Sequence, residues 1–356
     1  MRIILTGLGN VGRSLLAILQ SQASLLLDRH ALTITVVGAA DSSGAAFSQD
    51  GLDLDLIEAA KAARRGVWAL PGIGHQGMTG LDLLARVEAD VLCEATPVNL
   101  QHGNPGLDIV RAALDRGLDC VLANKGPLAL AYRELAARSD LSTAGRPALR
   151  FSACIGGALP TINLGLRDLA GARIAKVEAI LNGTCQGILR AMESGQDFAA
   201  ALAEMQRRGV AETDPSLDVD GWDQAVKLVI LANAVLRRPT VLADLSVRGI
   251  REITGDDLRA ADRRGERLVL LGRAERAEAD GDWTLSVGPV SLPKDHRLAR
   301  MGADEMGIVY HTDISGTLHA TSEEADAVPT AAAMLRDLVD VAGLGGPFQR
   351  PGTGGI

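Results

Sequence analysis

Aromatic residues are scarce in this 356-residue chain: four Phe, three Trp and two Tyr, 3% in all. Its core must therefore be built from Leu, Val, Ile and Ala, and recognition by stacking platforms for bases or sugars is excluded. Cysteine is equally thin. Cys93, Cys120, Cys154 and Cys185 stand far apart with no C-x-x-C pair, which excludes a disulfide framework and a zinc site. The histidines, at 30, 75, 102, 296, 311 and 319, form no pair at metal-ligand spacing. No apolar run reaches the length of a bilayer span, and the first apolar run (Ile3-Ile4-Leu5) is too short for a secretory signal. Excess positive charge is also missing. Lys plus Arg is 36 and Asp plus Glu is 44, a formal charge of −8, and no basic run occurs. That balance excludes a partner bound by neutralising phosphates. A reducing, cytoplasmic location follows as the expectation, with no nucleic-acid and no membrane partner.

What is present is ordinary globular material, 47% hydrophobic and 22% charged. The length suggests two domains. Ile3-Ile4-Leu5 has no polar alternation, the mark of a strand buried on both faces of a parallel sheet. It runs into Thr6-Gly7-Leu8-Gly9-Asn10-Val11-Gly12, and an apolar-periodic segment over 11–27 predicts a helix. A β-rich run over 32–40 ends at Asp41. Strand, glycine turn, helix, strand is a βαβ unit. Further on, the pattern predicts a helix over 54–65, a loop over 71–77, a strand over 90–95 ending at Thr96-Pro97, a helix over 107–116 and a strand over 119–123. The fold class is α/β: a Rossmann-type doubly wound parallel sheet over 1–150, followed by a second, α+β domain. Composition shifts after Gly145-Arg146-Pro147. Helical patterns then cover 159–166, 187–193, 197–208, 221–236 and 327–341, with strand alternation over 283–292 and 307–313. The Gly/Pro-rich tail at 344–356 is expected to be flexible.

Three places carry chemistry. Gly7-x-Gly9-x-x-Gly12 sits between a strand and a helix, the context that a dinucleotide fingerprint requires. Gly7 would permit the tight turn, Gly9 the approach of a pyrophosphate, and Gly12 close packing of helix on strand, with the helix N-terminus facing the phosphates. Asp41 ends the second strand, where a carboxylate accepts from an adenosine ribose and repels a 2′-phosphate, favouring NAD. Ser42, Ser43, Lys61, Arg64 and Arg65 could serve a phosphate instead, and Asp41 could simply cap its turn. Lys125 follows a buried strand in Asn124-Lys125-Gly126-Pro127, at the sheet end where open α/β folds hold ligands, although a solvated lysine reads the same way. The stretch 209–227 holds Glu212, Asp214, Asp218, Asp220 and Asp223 in a Pro/Gly loop running into a helix. Asp223 and Lys227 are spaced i,i+4 and share a helical face. The pattern suits a site for a cationic group, or an exposed capping loop with a routine ion pair. The spacing for calcium is absent. Cys154 reads as a buried thiol or as a nucleophile.

Taken together, GLGNVG, ANKGPLA, CIGGALPTI, LNGTCQGIL, AETDPSLDVDGWDQAVKL and PTAAAMLRDL resemble the homoserine dehydrogenase family over most of the chain. The resemblance implies NAD(P)-dependent interconversion of L-aspartate 4-semialdehyde and L-homoserine, on the route to threonine and methionine. It implies a form without a fused kinase or a regulatory domain. The Rossmann domain at 1–150 would be completed by the C-terminal helix at 327–341, with a catalytic and dimerisation domain at 151–326 and a homodimer as the assembly. Lys125 and Lys227 correspond to the two active-site lysines, converging on the reacting carbonyl. Glu212, Asp218 and Asp223 correspond to substrate carboxylates, with Gly183 and Thr184 lining the same pocket. Gly7, Leu8, Gly9, Asn10, Val11, Gly12, Asp41, Ser42, Thr96, Pro97 and Lys125 would hold NAD or NADP.

Three departures accompany the match. Ser152 stands where a glutamate is common in the family's monovalent-cation loop, leaving the carbonyls of Ile155, Gly157 and Leu159 as sodium ligands. The N-G-T-x-N-Y pattern reads Asn182-Gly183-Thr184-Cys185-Gln186-Gly187, without its aromatic. A glycine-rich loop before the last helix is replaced by Ser322-Glu323-Glu324-Ala325-Asp326. Two other readings remain: a phosphorylating semialdehyde dehydrogenase with a Cys154 thioester, and a non-catalytic dinucleotide sensor.

Overall fold

The computed structural model describes residues 1–139, 147–276 and 281–343; the tail at 344–356, expected to be flexible, lies outside the described residues. The chain forms two units. One comprises Met1–Gly157 with the segment from Ala327 onward, and the other Ala158–Asp326.

The first unit is built on seven strands: β1 (Arg2–Thr6), β2 (Thr35–Asp41), β3 (Gly44–Phe47), β4 (Gly74–Gln76), β5 (Val91–Glu94), β6 (Asp119–Leu122) and β7 (Leu149–Arg150). Their order is β4-β3-β2-β1-β5-β6-β7. The run β2-β1-β5-β6-β7 is parallel, while β3 and β4 add antiparallel to the edge. The chain leaves β1 toward β2 and later returns to β5 on the other side of β1. That reversal puts the carboxyl ends of β1 and β5 at the topological switch point, where such sheets hold ligands. Edge strands β3 and β4 fall in a stretch whose 71–77 portion the sequence reads as loop, because Gly, Ala and His carry little strand signal of their own.

The segment at 11–27, predicted as one helix, is two. Asn10–Ser21 stops at Gln22, which then starts Ala23–His30. The polar run Gln20-Ser21-Gln22 offers no apolar stripe to carry a single helix across. The C-terminal helix, Val328–Val341, buries Ala331, Met334 and Leu338 in the core that Ile3, Leu5, Leu15 and Val121 build. A buried polar anchor holds it as well. Asp337 is buried, and its carboxylate accepts from Ser152 N–H at 2.7 Å and from Ser152 Oγ at 2.6 Å.

The second unit carries a six-stranded mixed sheet of β8 (Ile174–Ile180), β9 (Ser246–Val247), β10 (Glu266–Arg276), β11 (Trp283–Pro293), β12 (Glu305–Thr312) and β13 (Thr317–Glu323) in the order β13-β12-β8-β10-β11-β9. Among the described residues, only the β11–β9 pair of this sheet is parallel. Its longer helices are Gly183–Glu193, Phe198–Arg207, Trp222–Ala234 and Gly255–Arg263. Strand β10 reads ERLVLLGRAER, a composition that suits a helix; pairing along its whole length with β11 overrides that preference. The segment predicted helical over 159–166 becomes a short turn, Thr161–Asn163, that widens into a π-helical stretch over Leu164–Asp168. There Gly165 packs so tightly that a Cβ would lie 2.4 Å from Val235. No helix among the described residues is long and apolar enough to cross a membrane.

Burial pushes the Asp337 carboxyl up from 3.8 to about 6, although its bonds from Ser152 pull the other way. The native state therefore keeps a proton that the unfolded chain has released, and stability falls as pH rises from about 4 to about 6. Asp337→Asn keeps one acceptor for Ser152 N–H and adds a donor for Ser152 Oγ. It should unfold at higher urea than wild type above pH ~6, by at most about 3 kcal/mol, with the advantage vanishing near pH ~4. Urea titrations of both proteins across that range measure the difference.

Candidate functional site

The glycine loop follows β1. Gly7 takes φ +91°, and a Cβ on it would lie 2.2 Å from the Ala95 carbonyl oxygen. A Cβ on Gly12 would lie 2.0 Å from the carbonyl of Gly7, so strand, turn and helix touch through bare backbone. At Gly9 nothing lies within 4 Å, and Gly9 and Asn10 are exposed beside a helix start that no side chain caps. Leu8 faces inward and Val11 is half-buried. This is a backbone cradle open on one side to an anion.

Asp41 ends β2 with both oxygens engaged. Oδ1 accepts from Ser43 N–H (2.9 Å) and Ser43 Oγ (2.6 Å), and Oδ2 from Lys61 Nζ (2.8 Å) and Val67 N–H (3.3 Å). Burial acts to raise its pKa, but the bonds from Lys61 and Ser43 outweigh burial and hold it low. The anion expected to repel a 2′-phosphate is thus paired with an ammonium that attracts one. Ser42 is exposed beside it.

Thr96 and Pro97 follow β5, with Thr96 half-buried and Pro97 exposed. Lys125 is half-buried at the cap of the helix Gly126–Arg138, after β6. Between these two loops lies Glu94, a fully buried carboxyl that the sequence reading passed over because it lies inside an apolar strand.

In the second unit, Asp218, Asp223 and Lys227 come together. Lys227 Nζ donates to Asp223 Oδ2 at 2.8 Å and to the Leu181 carbonyl oxygen at 2.5 Å. Asn182 bridges the two carboxylates, with its Nδ2 2.7 Å from Asp218 Oδ1 and 2.8 Å from Asp223 Oδ2. Its own Oδ1 caps the helix Gly183–Glu193 through Cys185 N–H. Asparagine just ahead of a helix is a sequence-level cap signal that would have placed this start four residues earlier than expected. Gln224 fixes the helix that carries Asp223 and Lys227. It accepts from Leu181 N–H and donates to the carbonyls of Ala179 and Leu270.

Burial raises the Asp218 carboxyl, repulsion from Asp223 adds to it, and Asn182, Lys227 and Thr184 oppose it. Thr184 is buried at the same cluster, and the backbone at Gly183 has open space beside it. Glu212, expected here as well, is not brought in. Its side chain is exposed on the loop after Gly209, and it is the Glu212 carbonyl, not the carboxylate, that Gln206 binds. In the acidic segment before the last helix, Glu324 is half-buried and accepts from Ala158 N–H at 2.8 Å. Burial raises its pKa, while Ser322, the backbone of Ala158 and Leu159, and the charge of Lys227 lower it.

Cys154 is buried with its thiol donating to the Leu122 carbonyl oxygen at 3.3 Å, a poor setting for thioester chemistry. Ser152 is bound to Asp337 and brings no charge to the loop of Ile155 and Gly157. The Leu159 carbonyl already accepts from Thr161 N–H at 2.7 Å. Among the described residues, no cluster of three His, Cys, Asp or Glu side chains could hold a metal ion. The loop thus brings no charged side chain to the expected cation, leaving only backbone carbonyls for it.

Comparison with known proteins accords with this geometry. Residues 7–144 match the family model of the homoserine dehydrogenase NAD-binding domain, and residues 160–339 match that of homoserine dehydrogenase. The chain is 36% identical to the homoserine dehydrogenase of Methanocaldococcus jannaschii, over 96% of its own length and 98% of the relative's. It is 33% identical to an NAD(+)-dependent homoserine dehydrogenase of Pseudomonas canavaninivorans, with 96% of each covered. A crystal structure of a putative homoserine dehydrogenase from Archaeoglobus fulgidus superposes with a TM-score of 0.83 at 29% identity, covering 96% of this chain and 99% of that one.

Removing the amide bridge tests the cluster. Asn182→Ala leaves Asp218 and Asp223 facing each other with fewer donors, a loss of about 1–3 kcal/mol. It should also push the Asp218 carboxyl further up, so the acid limb of the pH–rate profile moves to higher pH. Thermal unfolding and kcat/KM against pH read the two effects separately.

Proposed function

Since the chain belongs to the homoserine dehydrogenase family, an NAD(P)-dependent oxidoreductase family acting on CH–OH, we propose that it performs that reaction with the lysine and carboxylate set described above. It interconverts L-homoserine and L-aspartate 4-semialdehyde, on the route to threonine and methionine. The observation that carries the mechanism is the buried Asn182–Asp218–Asp223–Lys227 cluster. Bound NAD or NADP supplies hydride exchange at the nicotinamide ring. In aldehyde reduction, negative charge grows on the carbonyl oxygen, and the Lys227 ammonium stabilises that charge and delivers the proton; in alcohol oxidation it takes the proton back. Asp223, 2.8 Å from Lys227 Nζ, aims the ammonium. Lys125 is the second ammonium assigned to the reacting oxygen. Asp218 holds the substrate's α-ammonium with Thr184 and Gly183 beside it. This binding fixes the carbonyl for hydride transfer.

On the cofactor side, the loop from Gly7 to Gly12 and its helix N-terminus hold the pyrophosphate, Asp41 and Ser42 the adenosine ribose, and Thr96 and Pro97 the nicotinamide half. The relative from Pseudomonas canavaninivorans is named as NAD(+)-dependent. A hyperthermophilic archaeal homoserine dehydrogenase, 24% identical and alike in fold with a TM-score of 0.78, was solved with NADPH. The Asp41–Lys61 pair suits either cofactor: Asp41 for a ribose hydroxyl, Lys61 for a 2′-phosphate. No step is routed through a monovalent cation. A homodimer in a reducing, cytoplasmic setting fits the family and the four free thiols.

Turnover of L-homoserine with each cofactor, beside Lys227→Ala, tests the reaction. The variant should lose about 10²–10⁴ in kcat while still binding dinucleotide. Wild type and variant equally inactive, with dinucleotide bound, would favour the sensor reading, whereas loss of activity in Cys154→Ser would favour thioester chemistry. For Lys61→Ala, the ratio of kcat/KM for NAD over NADP should rise about tenfold or more, as one charge-assisted bond to phosphate is worth roughly 1.5–3 kcal/mol.

A further inference from the structure

Glu94 closes β5 with a side chain that is 0% exposed. Its Oε1 accepts from Thr96 N–H at 2.9 Å and from the Thr96 hydroxyl. With its proton directed at Glu94, the hydroxyl oxygen accepts from Asn124 Nδ2 at 3.2 Å. That orients the amide, so Asn124 Oδ1 accepts from Gly126 N–H at 2.9 Å. One chain of hydrogen bonds therefore runs from the end of β5 to the end of β6. It ties the loop of Thr96 and Pro97 to the first turn of the helix that Lys125 caps. Its direction is set at its head, because a carboxylate only accepts. Gly106 makes the room: a Cβ there would lie 2.4 Å from Asn124 Nδ2 and 3.1 Å from both Thr96 Oγ1 and Glu94 Oε2. Glu94 Oε2 is buried with no hydrogen-bond partner. The sheet itself needs no carboxyl at this place, and an orphaned buried oxygen costs stability.

We propose that Glu94 is a positioning residue of the dinucleotide site, holding the Thr96–Pro97 loop and the Lys125 turn in register through Thr96 and Asn124. This rests on the assignment of Thr96, Pro97 and Lys125 to that site. Burial pushes the Glu94 carboxyl up to about 7, against the bonds from Thr96. The groups facing it are Thr96 on its own loop, Asn124 after β6 and the helix start at Gly106. On β6 the titratable neighbour is Cys120, whose thiol burial drives well up. Protonation puts a donor on Oε2, where no acceptor waits, and weakens the pull of Oε1 on Thr96. Acidification through neutrality therefore slackens the chain.

Glu94→Gln retains an acceptor for Thr96 but does not titrate. The measurement is the affinity for reduced dinucleotide, by its fluorescence, together with KM and kcat for cofactor, from about pH 6 to about pH 8.5. Wild-type affinity should fall about three- to tenfold across that range on acidification, with an inflection near 7, while Glu94→Gln stays flat at a similar melting temperature. A flat wild-type profile, or an inflection that persists in Glu94→Gln, overturns the proposal. If Glu94→Gln does not fold, Thr96→Val cuts the chain at its second link and should also give weak, pH-insensitive binding; a wild-type profile in it is equally fatal. Binding is read without alcohol substrate. A protein that shows the inflection yet leaves L-homoserine untouched supports the role of Glu94 and counts against the proposed reaction.

Discussion

Two carboxylates, an amide and an ammonium, packed side by side, organise the second unit. Asp218 and Asp223 lie within reach of one amide, Asn182, and the Lys227 ammonium pairs with Asp223. Burial raises the Asp218 carboxyl, and repulsion from Asp223 adds to it. The arrangement holds because backbone and side chains around it are fixed first: Asn182 caps its helix, and Gln224 ties the neighbouring helix to β8 and β10.

The first unit meets the opposite demand, an anion presented to backbone. Gly7 and Gly12 pack against carbonyl oxygens, and Gly9 stays open. Around that cradle, side chains work indirectly. Asp41 is spoken for by four donors, and Glu94 acts on its surroundings through a threonine and an asparagine. Neither carboxylate is a bare charge awaiting ligand.

How much of this was legible beforehand follows from range. The βαβ start, the glycine fingerprint and the pairing of Asp223 with Lys227 are local patterns, and all three stand in the structure as spacing along the chain dictates. The meeting of Asn182 with Asp218 joins residues 36 apart in sequence, and no periodicity announces it. Strands β8 and β13 carry little sequence signal because Lys176 and Glu178 interrupt the apolar run of one and the other alternates among polar residues. Glu94 was hidden by the run around it: a carboxyl amid Val91, Leu92 and Cys93 reads as an exposed strand end until its burial is seen. Glu212 is the reverse case. Motif resemblance placed it in the pocket, while the loop it rides on leaves its carboxylate in solvent.

The fate of the thiols bears on life beside an electrophile. An aldehyde captures accessible thiolates as hemithioacetals, so a protein that handles one is exposed to attack by its own substrate. Here all four cysteines are buried. Burial drives the thiols of Cys93, Cys120 and Cys185 up in pKa, and those of Cys154 and Cys185 are directed at backbone carbonyls. Cys185 sits one residue from Thr184, and burial keeps its thiol protonated and turned inward. The fold thereby keeps soft nucleophiles out of reach of the compound it is built to process.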